Sequence, residues 1–472
     1  MQNTTLQELA TAINGRVLQG GDGDVTFDTV VTDSRHVRSG DVFWALRGAV
    51  HDGHRFVQQA VDAGAVASVV AEDERDRTHG QRVVVPDTLP ALGQFAEWHR
   101  RRQEALVIGV TGSVGKTTTR EMVHHVLAGS FPGTQSQQNY NNQVGVPLSL
   151  LRIAPAHEFA VVELGASAVG EIRTLAGWAQ VEAGIVTSIG EAHLEGFGQI
   201  EAIVRAKGEL VEAVPADGFV VLNADDERTR SLASRAAGRV ILAGESAGSD
   251  LRATDVAVHN GQLEFRVGTQ KFLLNVVGRH HLGSALAAIA VGREIGIAER
   301  EIAERLSTFQ SVTGRCRMLN IGSWTIIDDT YNANPASMRA ACQVLADWQG
   351  SARRILVCGD MLELGASSGR CHTELGRQVA AADIDHLLVM GDWSQDVIQS
   401  ARAGGMRGYQ LAECRDLESA LVILDCWLES GDVVLIKGSR ATGMERIVER
   451  LKYKIGHVAD GTHAGAMVPA GF

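Results

Sequence analysis

The sharpest chemical signal in this chain is the run Gly109-Val110-Thr111-Gly112-Ser113-Val114-Gly115-Lys116-Thr117-Thr118. The apolar stretch Leu106 to Val110 leads into it, and a helix is expected from about Thr117. In that setting Gly112, Ser113, Gly115 and Thr118 let backbone N–H groups converge on phosphate oxygens at the positive end of a helix. Lys116 adds a mobile cation for the outer phosphates, and the Thr117 hydroxyl offers a hard oxygen to Mg²⁺. The pattern departs from GxxxxGK[ST] in one place: Val110 stands where the first glycine belongs, with Gly109 and Gly112 on either side. A triphosphate needs metal, and the metal needs oxygen ligands. Glu163 closes the apolar run Phe159 to Glu163, and the carboxyl ends of parallel strands line the ligand crevice of such sheets. By spacing alone it reads equally as a metal ligand and as a solvated or capping carboxylate. His193 follows the next strand; taken alone, it reads as a structural histidine that could reach the same crevice.

These residues require strands that end together and helices that start beside them. Apolar runs at Leu106 to Val110, Phe159 to Glu163, Gly184 to Ile189 and Phe219 to Leu222 alternate with helical stretches, predicting a mainly parallel sheet covered by helices. Before about residue 86, short runs such as Val42 to Leu46 and Ala65 to Val70 predict a small α/β domain. After Gly314 a second doubly wound unit is expected, with strands near Trp324 to Ile327, Arg354 to Cys358, His386 to Met390 and Asp432 to Ile436. The segment Gly456 to Phe472 lacks periodicity and reads as a loosely ordered tail.

Bulk properties bound the function. A length of 472 residues suggests about three domains, and 45% hydrophobic with 21% charged residues is the make-up of a folded globular chain. The formal charge of -12, with no basic block, argues against nucleic acid as a partner. No apolar stretch approaches the ~18 residues of a membrane span, and MQNTTLQELATAING reads as a capped amphipathic helix without a signal pattern. A cytoplasmic location is expected. All six cysteines lie from Cys316 onward without a CxxC pair, so they read as reduced core or surface thiols.

Taken together, nine blocks resemble the Mur ligase family. They are Thr32-Asp33-Ser34-Arg35, TGSVGKTTT from Thr111, NYNNQVGVP from Asn139, Glu163-Leu164-Gly165-Ala166, GEAHLEG from Gly190, Ala206-Lys207-Gly208, DDTYNANP from Asp328, GDMLELG from Gly359 and Lys437-Gly438-Ser439-Arg440. The phosphate loop is shared with folylpolyglutamate synthase, whereas DDTYNANP, GDMLELG and KGSR are narrower. The resemblance implies an α/β protein of three domains: a small UDP-sugar domain over 1–86, a central P-loop ATPase domain over 87–312, and a C-terminal Rossmann-like ligase domain over 313–472. It further implies an ATP-dependent amide ligase that adds D-alanyl-D-alanine to UDP-N-acetylmuramoyl-tripeptide through an acyl phosphate, acting as a monomer in peptidoglycan precursor synthesis.

By the same resemblance, Thr117 and Glu163 hold one Mg²⁺, and His193 with a carbamylated Lys207 holds a second; without the resemblance Lys207 reads as a solvated helix lysine. Arg315, Asp329 and Asn332 are expected at the nucleotide. Lys437, Ser439, Arg440 and Asn141 are expected toward the peptide substrates, and Ser34 and Arg35 toward the UDP moiety. One stretch departs from the family pattern: Gly278-Arg279-His280-His281-Leu282-Gly283-Ser284 carries His281 and Ser284 where the adenine-facing stretch usually has asparagines. Two other readings compete: another amide ligase of the Mur or folylpolyglutamate type, and a nucleotide-gated switch without ligation. Retention of Lys116, Glu163, His193 and Lys207 together argues against the switch.

Overall fold

A computed structural model describes residues 3–18, 24–48, 51–77, 80–190, 194–350 and 352–459. The chain forms two compact units. The first comprises Met1–Ile189, Glu201–Arg252 and Ser284–Ile302. It opens on helix Leu6–Ala12, where Thr5 Oγ1 accepts from the Glu8 amide at 3.1 Å and the Glu8 carboxylate accepts from the Thr5 amide at 2.9 Å, a reciprocal cap. A five-stranded sheet follows in the order Arg16–Leu18, Arg82–Val85, Ala67–Ala71, Val42–Trp44, Val30–Val31. It is parallel except at its Arg16–Leu18 edge.

Helix Thr88–Arg100 ties that sheet to the second layer of the same unit. At its start the Thr88 carbonyl accepts from Trp44 Nε1 at 2.7 Å, and at its end His99 Nε2 meets the Ile153 carbonyl at 2.8 Å. Six neighbouring strands of the second, nine-stranded sheet, Arg239–Gly244, Phe219–Asn223, Ala183–Val186, Leu106–Thr111, Phe159–Glu163 and Gly133–Gln135, pair in parallel in that order. Val107, Ile108, Val110 and Val161 are fully buried, as expected for central strands covered on both faces. The run expected as a strand to Ile189 leaves the sheet after Val186, because Thr187 and Ser188 turn to hold the phosphate loop.

The second unit comprises Gly190–Ile200, Ala253–Gly283 and Ala303–Phe472. Its main sheet has the order Arg317–Ile321, Trp324–Asp329, Val433–Lys437, Arg354–Gly359, His386–Met390, Leu411–Cys414, parallel except for the first pair. Alternation sorts its strands onto two cores: Leu356 and Cys358 pack with Met338, Leu345 and Leu375 on one face, while Ile355 and Val357 pack with Leu424 and Ile447 on the other. Double winding is therefore present as expected. Five of the cysteines are buried and Cys426 is exposed, all of them free thiols. Ile447, Val448 and Leu451 anchor helix Glu445–Ala459 at helical spacing, so residues 456–459 of the segment expected as a tail are helical. Residues 460–472 lie outside the described residues.

Candidate active site

The phosphate loop joins strand Leu106–Thr111 to helix Lys116–Ala128, which starts one residue earlier than the sequence suggested. Two glycines are stereochemically required. Gly112 has φ +149 and a Cβ there would lie 2.0 Å from Thr187 Oγ1, and Gly115 caps the helix in the left-handed region at φ +88. The loop is held from behind: the Ser188 carbonyl accepts from the Ser113 amide at 2.8 Å, and Ser188 Oγ accepts from the Val114 amide at 3.2 Å. No side chain caps the start of the helix, and first-turn amides of a helix are a setting suited to an anion. Lys116 Nζ donates to the Gly112 carbonyl at 2.8 Å, so the cation already folds over the loop.

Hard oxygens converge on the same end of the sheet. Thr117 Oγ1 donates to Glu163 Oε2 at 2.8 Å, and Asn141 Nδ2 donates to Glu163 Oε1 at 2.8 Å. Glu163 is 2% exposed, so it is not the solvated carboxylate that spacing left open. Its backbone is fixed by Ser136 Oγ, which accepts the Glu163 amide at 3.1 Å. The Thr117 hydroxyl and Glu163 carboxylate form a donor set that fits Mg²⁺, with Asn141 orienting the second carboxylate oxygen.

Lys207 lies on helix Ile200–Ala213 and is only 3% exposed, unlike a solvated helix lysine. Burial pushes its ammonium down to about 7, and the charge of Lys116 pushes the same way, while Glu171, Glu163 and Glu209 oppose. Those influences place it in electrostatic reach of the phosphate-loop lysine and of Glu163. His193 lies outside the described residues.

The second unit assembles its candidates around Asp329. Lys437, 2% exposed, donates from Nζ to Asp329 Oδ2 at 2.6 Å and to the Asn332 carbonyl at 2.8 Å. Asp329 Oδ1 also accepts the Cys316 amide at 3.2 Å. Lys437 is thus engaged internally rather than presented on the surface. Asn332 Oδ1 accepts the Ala333 amide at 2.9 Å, and Asn334 caps helix Pro335–Ala346 with Ser337 as its reciprocal partner. Tyr331 is a platform for two cations, with the Arg315 guanidinium 3.9 Å and the Arg440 guanidinium 5.7 Å from its ring centre. Ser439 is buried; its hydroxyl accepts the Leu362 amide at 2.8 Å, and its amide donates to the Asp360 carbonyl at 3.1 Å.

In the N-terminal sheet domain, Ser34 Oγ donates to Gln59 Oε1 at 3.0 Å. Arg35 is exposed and clamped by Asp33, whose Oδ1 accepts Nε at 2.9 Å and whose Oδ2 accepts the terminal nitrogen at 2.6 Å. That guanidinium beside Asp33 holds the carboxyl down at about 2. Any phosphate reaching Arg35 shares it with Asp33.

Several supporting residues escape sequence reasoning. Buried Arg120, on the helix after the phosphate loop, donates to the Gln138 carbonyl at 2.9 Å and to the Ser136 carbonyl, bracing the segment that leads to Asn141. Glu209 accepts the Gly170 amide at 2.6 Å and the Arg173 amide at 3.0 Å, capping the helix that carries Glu171. A Cβ at Gly208 would lie 2.0 Å from the Arg235 guanidinium, which occupies the space beside Lys207's neighbour. In the second unit, His372 Nε2 accepts the Met361 amide at 3.0 Å while Nδ1 donates to the Ser368 carbonyl at 2.8 Å, pinning the GDMLELG turn. Local spacing signals none of these, because each partner lies far along the chain or in an adjoining loop. Ser284, one of the departures from the family pattern, accepts from Thr119 Oγ1 at 2.8 Å and so braces the phosphate-loop helix. Among the described residues, no helix is long and apolar enough to cross a membrane.

Similarity to known proteins covers both units. Residues 26–100 match the Mur ligase family, catalytic domain; residues 110–292 match the Mur ligase middle domain; residues 314–440 match the Mur ligase, glutamate ligase domain. A relative from Escherichia coli (strain K12), UDP-N-acetylmuramoyl-tripeptide–D-alanyl-D-alanine ligase, is 36% identical over 460 residues, spanning 96% of this chain and 99% of its own. A crystal structure of MurF from Acinetobacter baumannii superposes with a TM-score of 0.87 at 32% identity, covering 95% of this chain and 98% of the other. MurF ligase from Thermotoga maritima, solved in complex with ADP, gives a TM-score of 0.80 at 27% identity over 91% of this chain and 98% of that one. With the phosphate loop, the Thr117–Glu163 pair and the Asp329–Lys437 pair in place, the chain belongs to the Mur ligase family and has its three-domain α/β fold.

Proposed function

We infer that this protein is an ATP-dependent amide ligase that joins D-alanyl-D-alanine to UDP-N-acetylmuramoyl-tripeptide in peptidoglycan precursor synthesis. The observation that carries the reading is the convergence of Lys116, Thr117, Glu163 and Lys207 on one phosphate loop, in a chain whose full-length relatives bear that activity in their name. A carboxylate is a poor acylating agent, so the peptide carboxylate oxygen attacks the γ-phosphorus of ATP and ADP departs, leaving an acyl phosphate. The dipeptide amine then attacks the carbonyl carbon, phosphate leaves with the C–O bonding pair, and the amine proton passes to solvent. Bringing two anions together requires fixed positive charge, which Lys116 and the first-turn amides supply without reorganisation.

Gly112, Ser113, Gly115 and Thr118 form the cradle, and Thr117 with Glu163 holds one Mg²⁺. His193 and Lys207 serve a second, Lys207 as its carbamate. Mg²⁺, when bound, neutralises charge on the phosphate oxygens. Lys207 is suited to carbamylation because a buried amine lowered to about 7 has a large neutral fraction at neutral pH. Its nitrogen attacks CO₂, forms the C–N bond and loses a proton. Arg315, Asp329 and Asn332 serve the nucleotide; Asn141, Ser439 and Arg440 face the peptide substrates, with Lys437 setting Asp329 in place. Ser34 and Arg35 serve the UDP group. The working boundaries are 1–86, 87–312 and 313–472, and the protein acts as a cytoplasmic monomer. Phosphate release from ATP tests the reading: it should require both UDP-N-acetylmuramoyl-tripeptide and D-alanyl-D-alanine. Release that is independent of the dipeptide, or equal with another amine, would refute it.

A further inference from the structure

Within the second unit, the stretch that carries His281, expected near the base, also forms a nitrogen–sulfur cluster, next to the nucleotide-assigned Asp329, and that cluster's metal-binding chemistry has no part in the reaction above. His280 and His281 end the short turn Arg279–His281, and Cys316 precedes strand Arg317–Ile321. One ring nitrogen of each histidine and Cys316 Sγ lie within 4.8 Å of one another. His280 Nε2 is 3.5 Å from Cys316 Sγ, and the two imidazole rings are 4.2 Å apart between centres. Metal bonds of about 2.0 Å to nitrogen and about 2.3 Å to sulfur put tetrahedral N and S ligands roughly 3.5 Å apart, so this edge needs no rearrangement.

A second observation points to a ligand. His281 is 4% exposed and its Nε2 is buried without a hydrogen-bond partner. An orphaned buried ring nitrogen is expensive, and a Lewis acid is one partner that would satisfy it. Cys316 is also held in the left-handed region at φ 50, an unusual conformation for a non-glycine residue. Asp329 Oδ1, already bonded to the Cys316 amide at 3.2 Å, places an anionic oxygen next to the trio. His280 is on the surface and gives an entry route.

We propose that His280, His281 and Cys316 form a binding site for a borderline-soft divalent cation such as Zn²⁺, with Asp329 as the adjoining oxygen. On binding, the Cys316 S–H proton is released to solvent and the sulfur lone pair forms the metal bond, with no change of oxidation state. Two imidazoles and a thiolate suit Zn²⁺ over Mg²⁺, which prefers oxygen, so the site is chemically separate from the one at Thr117 and Glu163.

The test uses the full-length, untagged protein stripped of metal and titrated with Co²⁺, whose thiolate complexes have a near-ultraviolet charge-transfer band. The expected result is a band that saturates at one equivalent and is abolished by added Zn²⁺. The band should persist in Cys426→Ser, vanish in Cys316→Ser, and need at least about tenfold more Co²⁺ in His281→Gln. Should Cys316→Ser fail to fold, His280→Ala at the surface is the substitute, with the same tenfold weakening expected. Absence of a thiolate band in the wild type, or a band unchanged in Cys316→Ser or in His280→Ala, would overturn the proposal.

Discussion

Replacing Asp329 by asparagine isolates the charge at the centre of the second unit. Lys437 is 2% exposed, and its ammonium has two acceptors, the Asp329 carboxylate at 2.6 Å and the Asn332 carbonyl at 2.8 Å. Asp329→Asn keeps the shape and an acceptor for the Cys316 amide, but leaves a buried cation with one neutral partner. Breaking a buried pair in this way costs about 3–5 kcal/mol, much more than the 0–1 kcal/mol of a surface pair. Lys437→Met leaves Asp329, whose side chain is 14% exposed, still bonded to an amide, and should cost about 1–3 kcal/mol. The double variant Asp329→Asn/Lys437→Met removes both charges and should recover much of the loss, while ligation remains impaired in all three. Hydrogen exchange at the amides of strand Val433–Lys437 reads this region without assuming that the whole chain unfolds in one step. The single Asp329→Asn change should lower protection there roughly 200- to 5,000-fold. A fall of less than tenfold, or a double variant no better protected than Asp329→Asn, would refute the reasoning that Lys437 is held by charge.

Other expectations can be checked with the same protein. Lys116→Ala should reduce ligation at least about a hundredfold while leaving the melting transition near that of the wild type, since the side chain's hydrogen bond is to a loop carbonyl; near-normal turnover would remove the phosphate-loop assignment. Lys207→Ala should be nearly inactive and partly rescued by a small carboxylate, and wild-type activity in this variant in bicarbonate-free buffer would exclude the carbamate. Burial holds His99 down at about 4, below its unfolded value near 6.5, so the unfolded chain binds the extra proton between those pH values. Stability contributed by neutral His99 is therefore present above about 6.5 and is lost as pH falls toward 4, amounting to roughly 3 kcal/mol that His99→Gln should not lose; parallel pH–stability curves for the two proteins would contradict this. Ser284→Asn, alone or with His281→Asn, should raise the preference for ATP over GTP about two- to tenfold, measured as the ratio of kcat/KM values; an unchanged ratio would show that the base is read elsewhere.

The parts of this molecule that were legible in the sequence are those whose cause is local. The phosphate loop could be read because its glycines, lysine and threonine are consecutive and its flanking strand is an uninterrupted buried run. Strands Phe159–Glu163 and His386–Met390 were bounded correctly for the same reason, since continuous apolar runs mark strands covered on both faces. The strand expected to run to Ile189 failed at Val186 because a long-range partner decides its end: Thr187 and Ser188 bond back to a loop more than seventy residues earlier. Of the segment expected as a tail, residues 456–459 continue a helix anchored upstream by three buried residues at helical spacing, and the remainder lies outside the described residues.

Site residues divide along the same line. Types and spacing could nominate Thr117 and Glu163, but their separation of forty-six residues leaves the hydrogen bond between them invisible until the sheet places strand ends side by side. Lys207 shows how far composition can mislead, since nothing in a helical Ala-Lys-Gly-Glu string reports burial. It is the surrounding architecture that changes its chemistry: burial and the Lys116 charge lower its pKa while Glu171, Glu163 and Glu209 oppose, and Glu209 also caps the neighbouring helix. The shift of that lysine to about 7 is set by the fold itself, through residues that need never touch a substrate. The same logic applies to Asp329: Lys437 reaches it because strands Trp324–Asp329 and Val433–Lys437 pair in parallel, and Cys316 because strand Arg317–Ile321 pairs antiparallel with Trp324–Asp329.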